Sequence, residues 1–197
     1  MKNNRSADMK RVTYETDISV ELNIDGTGKS DIDTGIGFFD HMLTLFSKHG
    51  IIDLNVKAKG DTNVDFHHTV EDIGIVIGKC VAKALVDKNG LKRYGTSFLP
   101  MDEALAMVSI DISGRPFLMF DCKINTQKVG EFDTELVEEF FRAVAFNAGI
   151  TLHIKLLYGS NSHHIIEAVF KAFGRAFREA SSNDERVEGL MSTKGVI

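Results

Sequence analysis

The 197-residue chain is predicted to be α+β: two internally duplicated αβ half-domains, their sheets packed with long helices on one side. Three observations predict this. The pattern His-His-x-x-Glu occurs at His67–Glu71 and again at His163–Glu167, each time opening a stretch of helical period. The segment Met107-Val108-Ser109-Ile110-Asp111-Ile112-Ser113-Gly114 resembles Ser19-Val20-Glu21-Leu22-Asn23-Ile24-Asp25-Gly26, displaced by 88 positions. The pairs Gly50-Ile51 and Gly149-Ile150 then anchor the alignment of the two halves.

Taken in order, residues 1–8 are polar and expected to fray. Val12, Tyr14, Ile18, Val20, Leu22 and Ile24 alternate with polar residues, as one or two strands with a solvated face would. Asp25-Gly26-Thr27-Gly28 reads as a turn, and Lys29 to Asp33 as the returning strand. A helix is predicted from Phe38 to about His49, with Phe39, Met42, Leu43 and Phe46 as its apolar stripe and Gly50 as its stop. Ile51 to Lys59 alternates again, Asp61-Thr62-Asn63 is a loop, and the first motif opens a helix running to about Asp87. The second half repeats the order, with a helix over Leu136–Ala148, a strand over Ile150–Leu157, the loop Gly159-Ser160-Asn161 and a last long helix. In this alignment His41 falls opposite Phe140, and His153 opposite Leu54. Proline is nearly absent (Pro100, Pro116), so no hinge separates the halves. The chain reads as one domain over 1–197, made of repeats at about 9–90 and 91–185 and a tail at 186–197.

A net charge of −5 without any Lys/Arg run argues against nucleic acid as a partner. Two cysteines, Cys80 and Cys122, with no CxxC fit a reduced compartment and a packing role. No apolar run approaches the roughly 20 residues that span a bilayer, and the start lacks the apolar core of a signal peptide. A soluble cytoplasmic protein is expected.

The chemistry lies in the histidines. On a helix, residues i and i+4 share a face, so His67 with Glu71, and His163 with Glu167, can each grip one ion. His68 and His164 sit about 100° round from their neighbours and point elsewhere. Two such helices met face to face would let each spare imidazole complete the other motif's site. With His41 and His153 the supply is six His and two Glu, which divides into two sites of three His and one Glu. The grouping reached this way is His67, Glu71, His164 and His153 for the first site, and His163, Glu167, His68 and His41 for the second. Imidazole and carboxylate without thiolate suit Mn, Fe, Co, Ni or Zn.

Phe39-Asp40-His41-Met42-Leu43, Asp65-Phe66 ahead of the first motif, Gly159-Ser160-Asn161-Ser162 ahead of the second, Ala168, Lys171 and the closing Ser192-Thr193-Lys194-Gly195 together resemble the imidazoleglycerol-phosphate dehydratase family. The resemblance runs from about Arg11 to Gly195 and implies a ribosomal-protein-S5-domain-2-like fold. It further implies loss of water from imidazole glycerol phosphate, giving imidazole acetol phosphate in histidine biosynthesis. Two Mn2+ ions are implied, with active sites between the subunits of a 24-subunit homo-oligomer. The substrate's own imidazole would be the electron sink, through an imidazolate and a diazafulvene-type intermediate. By the same resemblance Glu15 is the non-ligand acid/base, and Arg93, Arg115, Lys171, Ser192 and Lys194 contact the phosphate. Glu71, Glu167 and His68 count as catalytic through the metal sites. Glu103 aligns with Glu15 in the repeat, and neither it nor Asp102 takes a role from the resemblance. Two rival readings are a dinuclear phosphate-ester hydrolase and a non-catalytic metal staple for an oligomer.

Overall fold

The computed structural model describes residues 5–197; residues 1–4, part of the expected frayed start, lie outside the described residues. Strand begins at once. β1 (Ser6–Val12) turns Ala7, Met9 and Arg11 inward and pairs antiparallel with β2 (Thr16–Asn23), from Ser6 opposite Asn23 to Val12 opposite Asp17. Residues 6–8 are therefore sheet, not fray, because Ala7 is buried in the core and Arg5 is tied to Asp25 and to the Ser181 carbonyl. β3 (Ser30–Asp33), α1 (Gly37–Gly50), β4 (Asp53–Gly60) and α2 (His67–Ala84) complete the first half, with strand order β1-β2-β4-β3 and β3 parallel to β4.

The second half holds β5 (Tyr94–Met101), β6 (Ala104–Asp111), β7 (Phe117–Asp121), a small ribbon of β8 (Lys128–Val129) and β9 (Phe132–Asp133), α3 (Leu136–Ala148), β10 (Thr151–Tyr158) and α4 (Ser162–Ser181). Its sheet order, β5-β6-β10-β7 with β7 parallel to β10, repeats that of the first half. β5 is missing from the sequence expectation because Gly95 and Pro100 interrupt its alternation. As an edge strand it tolerates both. Gly95 is required there: a Cβ would lie 2.1 Å from the Ala176 carbonyl oxygen of α4. α2 stops at Ala84 rather than Asp87. There the Asp87 carboxylate accepts from the Asn89 backbone and side-chain N–H groups and competes with further helix.

Each sheet carries helices on one side, with α2 across β1 and β2, and α4 across β5 and β6. The two helical layers, not the two sheets, meet at the centre, with α2 along α3 and α1 along α4. Gly78 and Gly174 stand at equivalent places in α2 and α4 and let backbones touch: a Cβ on either would lie 2.8 Å from a carbonyl oxygen of the facing helix, Val144 or Phe46. Between the layers Phe39, Phe46, Phe140, Phe141, Phe170 and Phe173 form one aromatic core, with ring centroids of Phe46 and Phe173 4.9 Å apart.

The repeat is displaced by 98 through the first helix and the following strand, one residue from the Gly-Ile anchor. The left-handed residue that ends each helix is Ile51 (φ 53°) in one half and Gly149 (φ 66°) in the other. Buried Met42, Leu43 and Phe46 then match buried Phe140, Phe141 and Val144, and inward Leu54 matches Leu152. His41 is thus the counterpart of Glu139, and His153 of Asn55. A one-residue slip reverses which side of a strand a residue faces, and the slip explains why an exposed histidine had been set against a core leucine.

Candidate metal centre and anion pocket

α4 begins where the Asn161 side chain accepts from the His163 and His164 backbone N–H groups, at 2.9 and 3.3 Å. One turn on, Glu167 is buried beneath His163, with Nε2 to Oε2 at 3.5 Å. α1 brings His41 to the same carboxylate, Nε2 to Oε1 at 3.9 Å. One donor atom from each of His41, His163 and Glu167 falls within 4.8 Å of the others, the one such set of three among the described residues. Lys171, a further turn along, donates to Glu167 Oε1 at 2.8 Å. Burial pushes the Glu167 carboxyl up, but the Lys171 hydrogen bond and charge, with His41 and His163, outweigh it and hold the group below its usual range. A charged carboxylate between two imidazoles is a donor set that fits a divalent transition metal.

The first motif has no such cluster among the described residues. His67 and Glu71 acquire no third ligand among the described residues. Within one chain the spare imidazoles do not cross between motifs, because α2 packs on α3 and α4 on α1, which keeps the two motif helices off each other. Each instead faces a carboxylate of its own half. His68 Nδ1 lies 3.0 Å from Asp61 and 3.8 Å from Glu15, and His164 Nδ1 lies 2.7 Å from Glu103. These hydrogen bonds, Asp61 to His68 and Glu103 to His164, raise both imidazole pKa values above the ordinary 6.5. The same bond to His164, with the backbone N–H groups of Asn161 and Ser160, holds the Glu103 carboxyl down at about 2. Of the four-ligand groupings expected, a single chain brings together His41, His163 and Glu167. His153 stands exposed on the outer face of β10, beside Phe117 and away from that cluster.

The residues expected to hold phosphate gather at a second place. A cavity of about 380 Å³ is lined by Arg93, Arg115, Ser192 and Lys194 together with Tyr94. Arg93 is largely committed: its guanidinium grips Asp111 through Nε and Nη2 at 2.7 and 3.0 Å and donates to the Met191 carbonyl at 2.6 Å. Arg115 and Lys194 are the exposed cations of the cavity. Lys171 is not part of its lining. The tail is folded back by that Arg93–Met191 bond and by Gly90 N–H to the Gly189 carbonyl. Asp111 and Asp61 are not singled out by composition or motif, and Glu103 enters only through its alignment with Glu15 in the repeat. The available signal for Asp111 was a charge inside the apolar alternation Val108-Ser109-Ile110-Asp111-Ile112.

A protein-family model described as imidazoleglycerol-phosphate dehydratase matches residues 34–177. Proteins of that description from Acetivibrio thermocellus and Clostridium acetobutylicum are 63% identical over 193 residues (98% of this chain, 99% of the relative) and 64% over 197 residues (all of both chains). The crystal structure of the Staphylococcus aureus imidazoleglycerol-phosphate dehydratase superposes with a TM-score of 0.83 at 49% identity, covering 91% of this chain and 99% of that one. A Pyrococcus furiosus structure, in complex with (S)-C348, superposes with a TM-score of 0.83 at 41% identity, covering 96% and 100%.

Proposed function

This chain belongs to the imidazoleglycerol-phosphate dehydratase family, and from that membership we propose that it removes water from imidazole glycerol phosphate to give imidazole acetol phosphate in histidine biosynthesis. The observation that carries the reading is the His41–His163–Glu167 cluster with Lys171 behind it, in a chain that matches the family along its whole length. Bound there, a divalent metal such as Mn2+ would acidify the substrate's imidazole, so that the ring can push out the neighbouring hydroxyl through an imidazolate and a diazafulvene-type intermediate. Glu15 takes the carbon-bound proton, its carboxylate lying exposed 3.8 Å from His68. Arg115, Lys194, Ser192 and Arg93 receive the phosphate in the cavity beside the tail. His67, Glu71, His68, His164 and His153 complete a dinuclear arrangement across contacts between copies of a 24-subunit homo-oligomer. The support for sharing is that the first motif gathers no third ligand among the described residues and His153 faces outward. No helix among the described residues is long and apolar enough to cross a membrane, in keeping with a cytoplasmic enzyme. Metal analysis coupled to an assay for the ketone product tests the whole reading. Full activity in chelator would end the metal part, and release of inorganic phosphate would point to a hydrolase.

Two further results are expected. Mn2+ affinity should be full at neutral to alkaline pH and weaken on acidification, beginning above pH 6.5. Asp61 and Glu103 raise the pKa of His68 and His164, so the proton competes for these rings sooner as pH falls. Titrations at pH 5 to 8 measure this, and a flat affinity would contradict imidazole ligation. Removing residues 190–197 should raise KM by about 10-fold or more and lower kcat while bound metal stays. One charged hydrogen bond of about 1.5 kcal/mol is worth that factor, and unchanged kinetics would remove the tail from the site.

A further inference from the structure

Glu15 and Glu103 are true counterparts: each is the last turn residue of its hairpin, directly before β2 or β6, at the displacement of 88 that those strands share. Each faces the second histidine of its half's motif. Their engagement differs sharply. No hydrogen bond reaches the Glu15 carboxylate among the described residues, and its closest imidazole nitrogen is 3.8 Å away. Both Glu103 oxygens are taken. Oε1 accepts from the Ser160 and Asn161 backbone N–H groups at 3.1 and 2.7 Å, and Oε2 accepts from His164 Nδ1 at 2.7 Å.

The first half obtains the same imidazole contact from another segment. His68 Nδ1 meets Asp61 at 3.0 Å, in the loop between β4 and α2. The matching loop of the second half, Gly159-Ser160-Asn161, contains no carboxylate. A carboxylate can only accept, so in both halves the neutral imidazole carries its proton on Nδ1 and keeps its lone pair on Nε2.

We propose that Glu103 is a positioning residue that locks His164 in the Nδ1–H tautomer with Nε2 bare for a metal, the task Asp61 performs for His68. The hairpin carboxylate of the second half thus became a support, whereas its counterpart Glu15 stayed unbonded and free to carry a proton. The inference rests on the reading of His164 as a metal ligand. It also explains why an isosteric amide would not serve. With Oε1 fixed by two backbone donors, the amide nitrogen of a glutamine would face His164 and donate. Nδ1 would then have to accept, its proton would pass to Nε2, and the lone pair offered to the metal would be lost.

The test is Mn2+ titration by calorimetry of the full-length wild type and Glu103→Gln, with thermal unfolding and particle size as controls. The variant is expected to keep fold and assembly and to bind one Mn2+ about 10–100-fold more weakly, the usual loss for a residue that supports a ligand. Unchanged Mn2+ affinity in Glu103→Gln would overturn the proposal and leave His164 as ligand intact. A wild type that binds no Mn2+ would instead overturn the metal reading beneath it. Should the variant fail to fold, neutron diffraction of the deuterated wild type decides. Deuterium on His164 Nδ1 supports the proposal, and deuterium on Nε2 alone refutes it.

Discussion

Glu167→Gln should strip the metal from the His41–His163 cluster and lower kcat/KM by more than about 100-fold, the upper end of what a supporting residue costs. The carboxylate is the one anion among those donors, and it is nearly buried: its side chain is 9% exposed. Oε2 faces His163, and Oε1 is shared between Lys171 at 2.8 Å and His41 at 3.9 Å. Neutralising it leaves the Lys171 ammonium, itself 15% exposed, without its partner beside any bound cation. Removing one member of a buried ion pair costs about 3–5 kcal/mol, so a lower unfolding midpoint should accompany the lost metal. Metal content per chain, Mn2+ titration and steady-state kinetics read the three effects. A variant that keeps its full metal complement and turnover would show that the cluster is a surface coincidence.

Glu15→Gln should behave in the opposite way, losing turnover and nothing else. Its backbone N–H is held by the Thr13 hydroxyl at 3.1 Å, and Thr16 behind it is anchored on Asp72 at 2.6 Å, so the turn does not depend on the carboxylate. A positioned acid/base contributes about 10²–10⁴ to rate. The expected result is a fall of that size in kcat, with Mn2+ content, KM within about threefold and particle size as in the wild type. Equal kcat would remove Glu15 from the reaction. Loss of metal would make it a support of His68 rather than a proton carrier.

Much of this was written locally in the chain. The HHxxE spacing placed His163 and Glu167 on one helical face without reference to anything distant, since i and i+4 meet on any helix. The alternation in Ile18–Ile24 and Met107–Ile112 marked the central strands of both sheets, because burial of one face imposes a period of two. Locally ambiguous signals point the wrong way. Two Gly-Ile pairs anchor the repeat one residue out of register, because Gly50 is still the last residue of α1 and the left-handed stop, filled by Gly149 in the second half, falls to Ile51. Edge strand β5 leaves no clear period in the sequence, since its Gly95 answers to the backbone of α4 and not to its own neighbours.

What the chain determined by itself was therefore the duplication, the helices and central strands, and the supply of metal-binding side chains. Which of those side chains meet was decided only by tertiary packing. Crossing angles and helix partners depend on contacts between residues far apart in sequence, which no local period encodes. Laying α1 along α4 put His41, and not His68, beside His163 and Glu167. Laying α2 along α3 left His67 and Glu71 a pair, and turned each spare imidazole to a carboxylate of its own half.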